Sequence, residues 1–229
     1  EALDAIAAKH GLAMIYDAAH AFGVRYKGKS ILEYGDASMV SLHATKLTHA
    51  VEGGFVVAKD LAVSEKMEWM RRFGHKGTEE FHGVGTNAKL SEFHAAMGLC
   101  NLNHIGEILD KRKAICEAYD QALLSDQSSV SRHELSSIVY RDGASRNFAY
   151  YPVVFNSEQS LLSAMQSLSD VGIFARRYFY PDLSECFAAG SSTCFRSIDV
   201  SKRILCLPLS VSLSLEQARL IADKLTLVI

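Results

Sequence analysis

The chain has 229 residues, 48% of them apolar and 22% charged, with a formal net charge of −2. That length and apolar share can bury a sizeable core, as one large domain or as one and a half. The near-neutral balance excludes the basic surface that nucleic-acid binding demands, and no apolar run approaches the roughly 18 residues of a membrane span. The five cysteines (Cys100, Cys116, Cys186, Cys194, Cys206) are scattered and lack a CxxC pair, which fits a reducing cytoplasm. The nine histidines show no HxxxH or HExxH spacing, so no metal site is expected.

Residues 1–10 are predicted as a helix stopped by Gly11. Residues 12–16 (LAMIY) are a continuous apolar run, the pattern of a buried parallel strand, and the run ends at Asp17. Ala18, Ala19 and Gly23 follow, small enough for a ring to approach the backbone. A strand and turn cover 24–29, and Gly35-Asp36 breaks the chain again. Residues 37–42 read as the next buried strand, which runs into Ser41-Leu-His-Ala-Thr-Lys46. A turn at 52–54 leads to an antiparallel strand at 55–58. A charged helix over 61–73 and a polar loop with four glycines over 74–90 come next. Ser91 reads as the N-cap of a long helix to about residue 124, linking domain 1–105 to domain 106–229. The Ser-rich stretch 125–137 reads as a loop. Then follow a strand at 148–155, a helix at 157–171 stopped by Gly172 and a strand at 173–179. Residues 182–199 read as irregular, 203–207 as a strand and 214–225 as the last helix. This alternation predicts a small C-terminal α/β domain.

A carboxylate at the end of one buried strand and an amine at the end of another are the pair that pyridoxal phosphate (PLP) chemistry needs. The amine bonds to the aldehyde carbon, and the carboxylate keeps the ring nitrogen protonated. Taken singly, Lys46 is a solvated strand-end lysine, Asp17 a helix cap and Ser41 an ordinary strand serine. Taken together they point to a cofactor site.

The blocks DAAHAFG (17–23), GD (35–36), SLHATK (41–46) and EGG (52–54) resemble, in order and spacing, the signature of the DegT/DnrJ/EryC1/StrS family of PLP-dependent nucleotide-sugar aminotransferases. GVGTNAKLSEFHAAMG (83–98), ARRYFYP (175–181) and ILCLPLS (204–210) are similar to its later blocks, so the likeness covers most of the chain. The resemblance implies an α/β fold of the PLP-dependent transferase type (fold type I). Part of the large domain, with a mixed and mostly parallel sheet, would be followed by a small α/β C-terminal domain. It also implies roles. Lys46 would be the Schiff-base lysine and proton carrier, Asp17 the partner of the ring nitrogen and Ser41 a donor to the cofactor phosphate. Asn87 would reach the phosphate held by the other subunit of a homodimer; the alternative is a turn residue. Arg176, Arg177 and Tyr178 would lie near substrate, where an arginine fork suits a nucleotide diphosphate; the alternative is ordinary solvated surface. His20 departs from the many members with glutamine there, near the phenolic oxygen of the ring.

Lys46 is retained, whereas a related dehydratase subgroup has histidine in its place, so transamination is expected. The amino group would pass from an amino acid, glutamate, to a keto carbon of a nucleotide-linked deoxysugar. Family members carry a region before the aspartate strand that holds the phosphate-binding turn and a stacking aromatic. This sequence opens at Glu1 inside a helix pattern, so a fragment is expected, forming a weak, reversible bond to PLP and showing no measurable transamination alone. Two other readings stand beside this one: a catalytically inactive truncated remnant that keeps the fold and dimerises, and a generic α/β binding module.

Overall fold

The computed structural model describes residues 1–124, 134–186 and 194–228. They form two compact units, Glu1–Gly106 with Arg141–Asn147, and Glu107–Tyr140 with Phe148–Ile229.

The first unit opens with α1 (Ala2–His10), ended by Gly11 at φ 61° and ψ 33°, a left-handed cap that glycine adopts without a Cβ clash. Strand β1 (Ile15–Asp17) follows, then β2 (Arg25–Tyr26) and β3 (Lys29–Ser30), which pair as a short hairpin. β4 (Ala37–Ser41) runs parallel to β1, and β5 (Gly54–Ala58) runs antiparallel to β4, giving the order β1-β4-β5. The sheet is therefore mixed, and among the described strands its parallel and antiparallel pairings are equal in number rather than mostly parallel. α2 (Leu61–Met70) starts where Asp60 accepts from the Ala62 N–H, and α3 (Glu92–Asn103) where Ser91 accepts from the His94 N–H.

The single helix expected over 91–124 is broken. α3 ends at His104 (φ −104°, ψ 2°), α4 (Ile105–Tyr119) begins a new run, and Asp120–Leu124 widens to π geometry. Asn101, Asn103, His104 and Gly106 crowd the junction, and each is a poorer helix former than alanine or leucine.

Residues paired across the sheet share a face, so Tyr16, Ser38 and Val57 lie on one side and Asp17, Met39 and Val56 on the other. Ser38 and Val40 are buried, but Ile15 is 71% exposed, Met39 40% and Val56 47%. The run 12–16 is thus not buried on both sides as its apolar pattern predicts.

The second unit takes α4 into β6 (Leu135–Ser137), β7 (Tyr151–Phe155), α5 (Glu158–Ser169), α6 (Leu183–Cys186), α7 (Phe195–Arg203), β8 (Ile204–Leu207) and α8 (Leu215–Thr226). Its sheet has the order β6-β7-β8 and is antiparallel throughout. Three expectations change here. β6 occupies the end of the stretch read as a loop, where Leu135 buries itself against the core; residues 125–133 lie outside the described ones. No strand forms over 173–179 beyond a single bridge between Arg176 and Cys206, because the Tyr178 N–H turns back to the Arg176 carbonyl at 3.1 Å. The region read as irregular holds α6 and the start of α7; Asp182 caps α6 through the Ser184 N–H at 2.9 Å, and residues 187–193 lie outside the described ones.

β7 and β8 alternate as a half-buried sheet should, and Tyr151, Val153, Phe155, Leu205 and Leu207 join α5 and α8 in one core. That core is the main one in the chain. Every residue of its buried cluster belongs to the second unit, while the buried apolar residues described in the first unit are Ala7, Ala18, Val40 and Ala50. Local stability follows buried apolar contact. In native-state hydrogen exchange of this chain, the amides of β7, β8, α5 and α8 are therefore expected to exchange at least about a hundredfold more slowly than those of β1 and β5. Equal protection in the two units would contradict this.

Candidate active site

Asp17 closes β1 and Ser41 closes β4, and the two strands are parallel neighbours. Their carboxyl ends therefore open on the same side, where α/β sheets place ligands. After β1 the Ala18 N–H still bonds the Met39 carbonyl at 2.9 Å, and Asp17 Oδ1 accepts from the Ala19 N–H at 3.0 Å. This side-chain turn swings the chain into 18–23. The turn is then pinned from a distance: Asn147 Nδ2 donates to the carbonyls of His20 at 2.9 Å and Phe22 at 3.0 Å. The rest of Arg141–Asn147 lies along β2, where the Arg25 N–H donates to Ser145 Oγ and the Lys27 N–H to the Gly143 carbonyl, both at 2.8 Å.

Sequence reasoning placed this strap in the C-terminal domain and missed Asn147. The DGAS turn signal (142–145) marks a loop but not the surface it meets, and a clasp on backbone carbonyls has no periodic signature.

Beyond β4 the loop 42–53 closes at its neck, where the Leu42 N–H bonds the Gly53 carbonyl at 2.9 Å and the Ala50 N–H bonds the Leu42 carbonyl at 2.8 Å. Glycine is required at 54, because a Cβ there would stand 2.8 Å from the Val40 carbonyl oxygen. Inside the loop, Ser41 Oγ accepts from the His43 N–H at 3.3 Å, and the Lys46 N–H bonds the His43 carbonyl at 2.9 Å. These turns carry Lys46 back to the 18–23 turn, and its Nζ lies 2.6 Å from His20 Nε2.

Crowding by the protein, and then the Lys46 charge, hold the His20 pKa below the ordinary imidazole range; the Asp17 carboxylate pulls the other way. Asp17 and Lys46 thus act on one ring, and the three side chains form a cluster. A carboxylate, an amine, an imidazole and a hydroxyl at adjacent strand ends, beside the small Ala18, Ala19 and Gly23, fit what a ring nitrogen, an aldehyde and a phosphate require.

Asn87 lies on the 74–90 loop, bridged through its backbone to Arg72 and hydrogen-bonded by Lys89 Nζ. Arg176, Arg177 and Tyr178 belong to the second unit and are not alike. Arg177 turns inward: its side chain is 14% exposed, Nη2 bonds Glu158 Oε1 at 2.7 Å and the Lys202 carbonyl at 3.0 Å, and the guanidinium stacks 3.6 Å from the Tyr180 ring centroid. Arg176 is exposed and donates to the Tyr178 hydroxyl at 2.7 Å.

The sequence matches the DegT/DnrJ/EryC1/StrS aminotransferase family over residues 1–226. It is 35% identical over 221 residues to the dTDP-4-amino-4,6-dideoxy-D-glucose transaminase of Shigella dysenteriae, a match that covers 93% of this chain and 58% of that protein. The Escherichia coli transaminase of the same name is 29% identical over 225 residues, covering 94% of this chain and 59% of that one. Among solved structures, DesI in the presence of its TDP-sugar product superposes with a TM-score of 0.84 at 29% identity, over 98% of this chain and 57% of that one. The chain thus spans 58–59% of the length of these curated relatives.

Proposed function

Because the chain belongs to the DegT/DnrJ/EryC1/StrS aminotransferase family, we propose that it carries the catalytic lysine of a PLP-dependent enzyme that moves an amino group from glutamate to a keto carbon of a nucleotide-linked deoxysugar. The observation that carries this reading is the Asp17–His20–Lys46 cluster at the ends of two parallel strands.

Lys46 would hold the cofactor's aldehyde carbon, Asp17 its ring nitrogen, Ser41 its phosphate and His20 the edge of its ring. When bound, the cofactor supplies an electron sink beside the amino-acid α-carbon. The remaining work belongs to the chain. Asp17 would keep a proton on the ring nitrogen. Lys46, once its amine is free, would take the α-proton of the donor amino acid and give it up again within that half of the exchange, and would run the same transfer in reverse to protonate the sugar carbon in the second half. Ser41 can accept from the His43 N–H and still donate its own hydroxyl proton to an anion.

A homodimer is part of the reading, with Asn87 completing the second copy's site. Val84 and Phe93, each 91% exposed on either side of Asn87, support it. Arg176, exposed and hydrogen-bonded to the Tyr178 hydroxyl, would offer its remaining donors to a nucleotide diphosphate, with Arg177 holding the segment in place. Relatives named as transaminases of dTDP- and UDP-linked amino sugars support that substrate class. The five cysteines, none in a disulfide among the described residues, suit a cytoplasmic setting, and no helix among the described residues is long and apolar enough to cross a membrane.

The test uses the full-length gene product with PLP, glutamate and nucleotide-linked 4-keto-6-deoxyhexoses, with the amino sugar read by mass spectrometry. Amino-sugar formation is expected. Asp17→Ala is expected to lower kcat/KM about 10³-fold, the scale of losing one charge aimed at the reacting centre. No product with any such sugar, or an Asp17→Ala enzyme as fast as the parent, would overturn the reading.

A further inference from the structure

A carboxylate serves a ring nitrogen best when it is aimed in advance, because no reorganisation is then needed as the ring arrives. Asp17 has the beginnings of such a mount. The Ala18 N–H bonds the Met39 carbonyl at 2.9 Å, and Asp17 Oδ1 accepts from the Ala19 N–H at 3.0 Å. A carboxylate can accept about four hydrogen bonds, so this one orients Asp17 without using it up. The turn then continues through bonds from the Ala21 N–H to the Ala18 carbonyl at 2.9 Å and from the Val24 N–H to the Ala21 carbonyl at 3.0 Å. These local bonds set the shape of the turn. Its place is set from a distance: Asn147 Nδ2 has two hydrogens, and each meets a carbonyl of the turn, His20 at 2.9 Å and Phe22 at 3.0 Å. Both neighbours are acceptors, so the donor end of the amide must face them.

We propose that Asn147 is a positioning residue for the cofactor. By holding the His20 and Phe22 carbonyls it fixes the 18–23 turn, and through the Ala19 N–H it fixes the Asp17 carboxylate meant for the ring nitrogen. The strap that carries Asn147 has its own fastening on β2, where the Lys27 N–H bonds the Gly143 carbonyl and the Ser145 N–H bonds the Arg25 carbonyl, both at 2.8 Å. The Asn147 side chain therefore adds little to holding the strap and much to holding the turn.

This inference rests on reading Asp17 as the partner of the ring nitrogen, but part of its test needs no cofactor. A residue that merely fastened the strap would, when lost, loosen β2 and the turn together. A positioning residue loosens the turn alone, and its effect on the cofactor runs through Asp17.

The experiment uses the full-length gene product. Without cofactor, hydrogen exchange of the Ala21 and Val24 amides is expected to run about tenfold faster in Asn147→Ala than in the parent, since two hydrogen bonds to the turn are lost. The Arg25 and Lys27 amides, which bond the strap, are expected to stay within about twofold. Asn147→Asp keeps the shape of the side chain but turns a carboxylate toward two carbonyls, so its effect should be no smaller than that of alanine. With PLP, read by equilibrium dialysis, Asn147→Ala is expected to weaken affinity about tenfold. In an Asp17→Ala background the same substitution should weaken it less than about threefold, because residues that act together are not additive. Unchanged exchange in the turn, equal acceleration at Arg25 and Lys27, an unchanged PLP affinity, or a tenfold loss that persists without Asp17 would each overturn the proposal. A parent protein that bound no PLP would sink the aminotransferase reading instead, while faster exchange confined to the turn would leave the clasp standing.

Discussion

Lys46→Ala in the full-length enzyme is expected to lower kcat/KM for amino transfer by at least about 10⁴-fold, and Lys46→Arg by a similar factor. On the proposed reading both variants would lose two functions at once, the covalent hold on the cofactor and the movement of the α-proton, and groups that act as a unit fail together. Arginine does not rescue, because its guanidinium stays protonated throughout the working pH range. The loss should not reflect unfolding. Lys46 is half-buried, and the turns that shape its loop run through the backbone of Leu42, His43, Ala50 and Gly53. The measurements are amino-sugar formation and the absorbance of protein-bound cofactor, which should lack the band of a lysine-bound aldehyde. A Lys46→Ala enzyme that kept a tenth of the parent's turnover would remove Lys46 from the mechanism.

The second large effect is on stability. Arg112 on α4, within the second unit, makes three hydrogen bonds, all to carbonyls: Nε to Phe148 at 2.7 Å, Nη2 to Ala149 at 2.5 Å and Nη1 to Leu209 at 3.0 Å. It thereby ties the chain entering β7 to the chain leaving β8. Burial lowers its pKa from the usual guanidinium value, and the fork of donors aimed at carbonyl dipoles offsets the cost of the buried charge. Arg112→Leu removes three hydrogen bonds from a buried charged donor, each worth about 1.5–3 kcal/mol for a bond to a charged group. A loss of about 3–5 kcal/mol is expected, at the diagnostic end for a single substitution. Arg112→Lys should recover part of it, since an ammonium at that depth can reach some of the carbonyls but cannot match the fork. Urea unfolding followed by circular dichroism gives the number. A loss under about 1 kcal/mol would mean that water replaces the guanidinium.

Local pattern revealed much of this. Gly11 stops α1, Ser91 caps α3, and the apolar runs ending at Asp17 and Ser41 became β1 and β4 in parallel register. Those strand ends made Asp17, Ser41 and Lys46 readable as a set. Pattern failed where the deciding contact was remote. β6 is a strand because Leu135 finds the core, although Ser136 and Ser137 read as loop. The helix over 91–124 broke at a cluster of weak formers that an apolar stripe had masked. Arg176 and Arg177 are indistinguishable in sequence; packing against Glu158 and Tyr180 turned one inward and left the other out. His20 was legible only as a candidate beside the cofactor ring, and its contact with Lys46 depends on how loop 42–53 closes. Asn147 was illegible, since its two acceptors lie 127 and 125 positions away.

The strap that carries Asn147 makes the first unit discontinuous along the chain, and this limits where the protein can be cut. A cloning boundary after Gly106 follows the last residue of that unit's main segment, yet it discards the two amide protons that hold the His20 turn and the partner that borders β2. Covalent continuity now supplies Arg141–Asn147 to that surface at a high effective concentration, which a free seven-residue peptide could not match at ordinary dose. A nick near residue 140 or 148 would likewise free one end of the strap, far in sequence from the amine it helps to position.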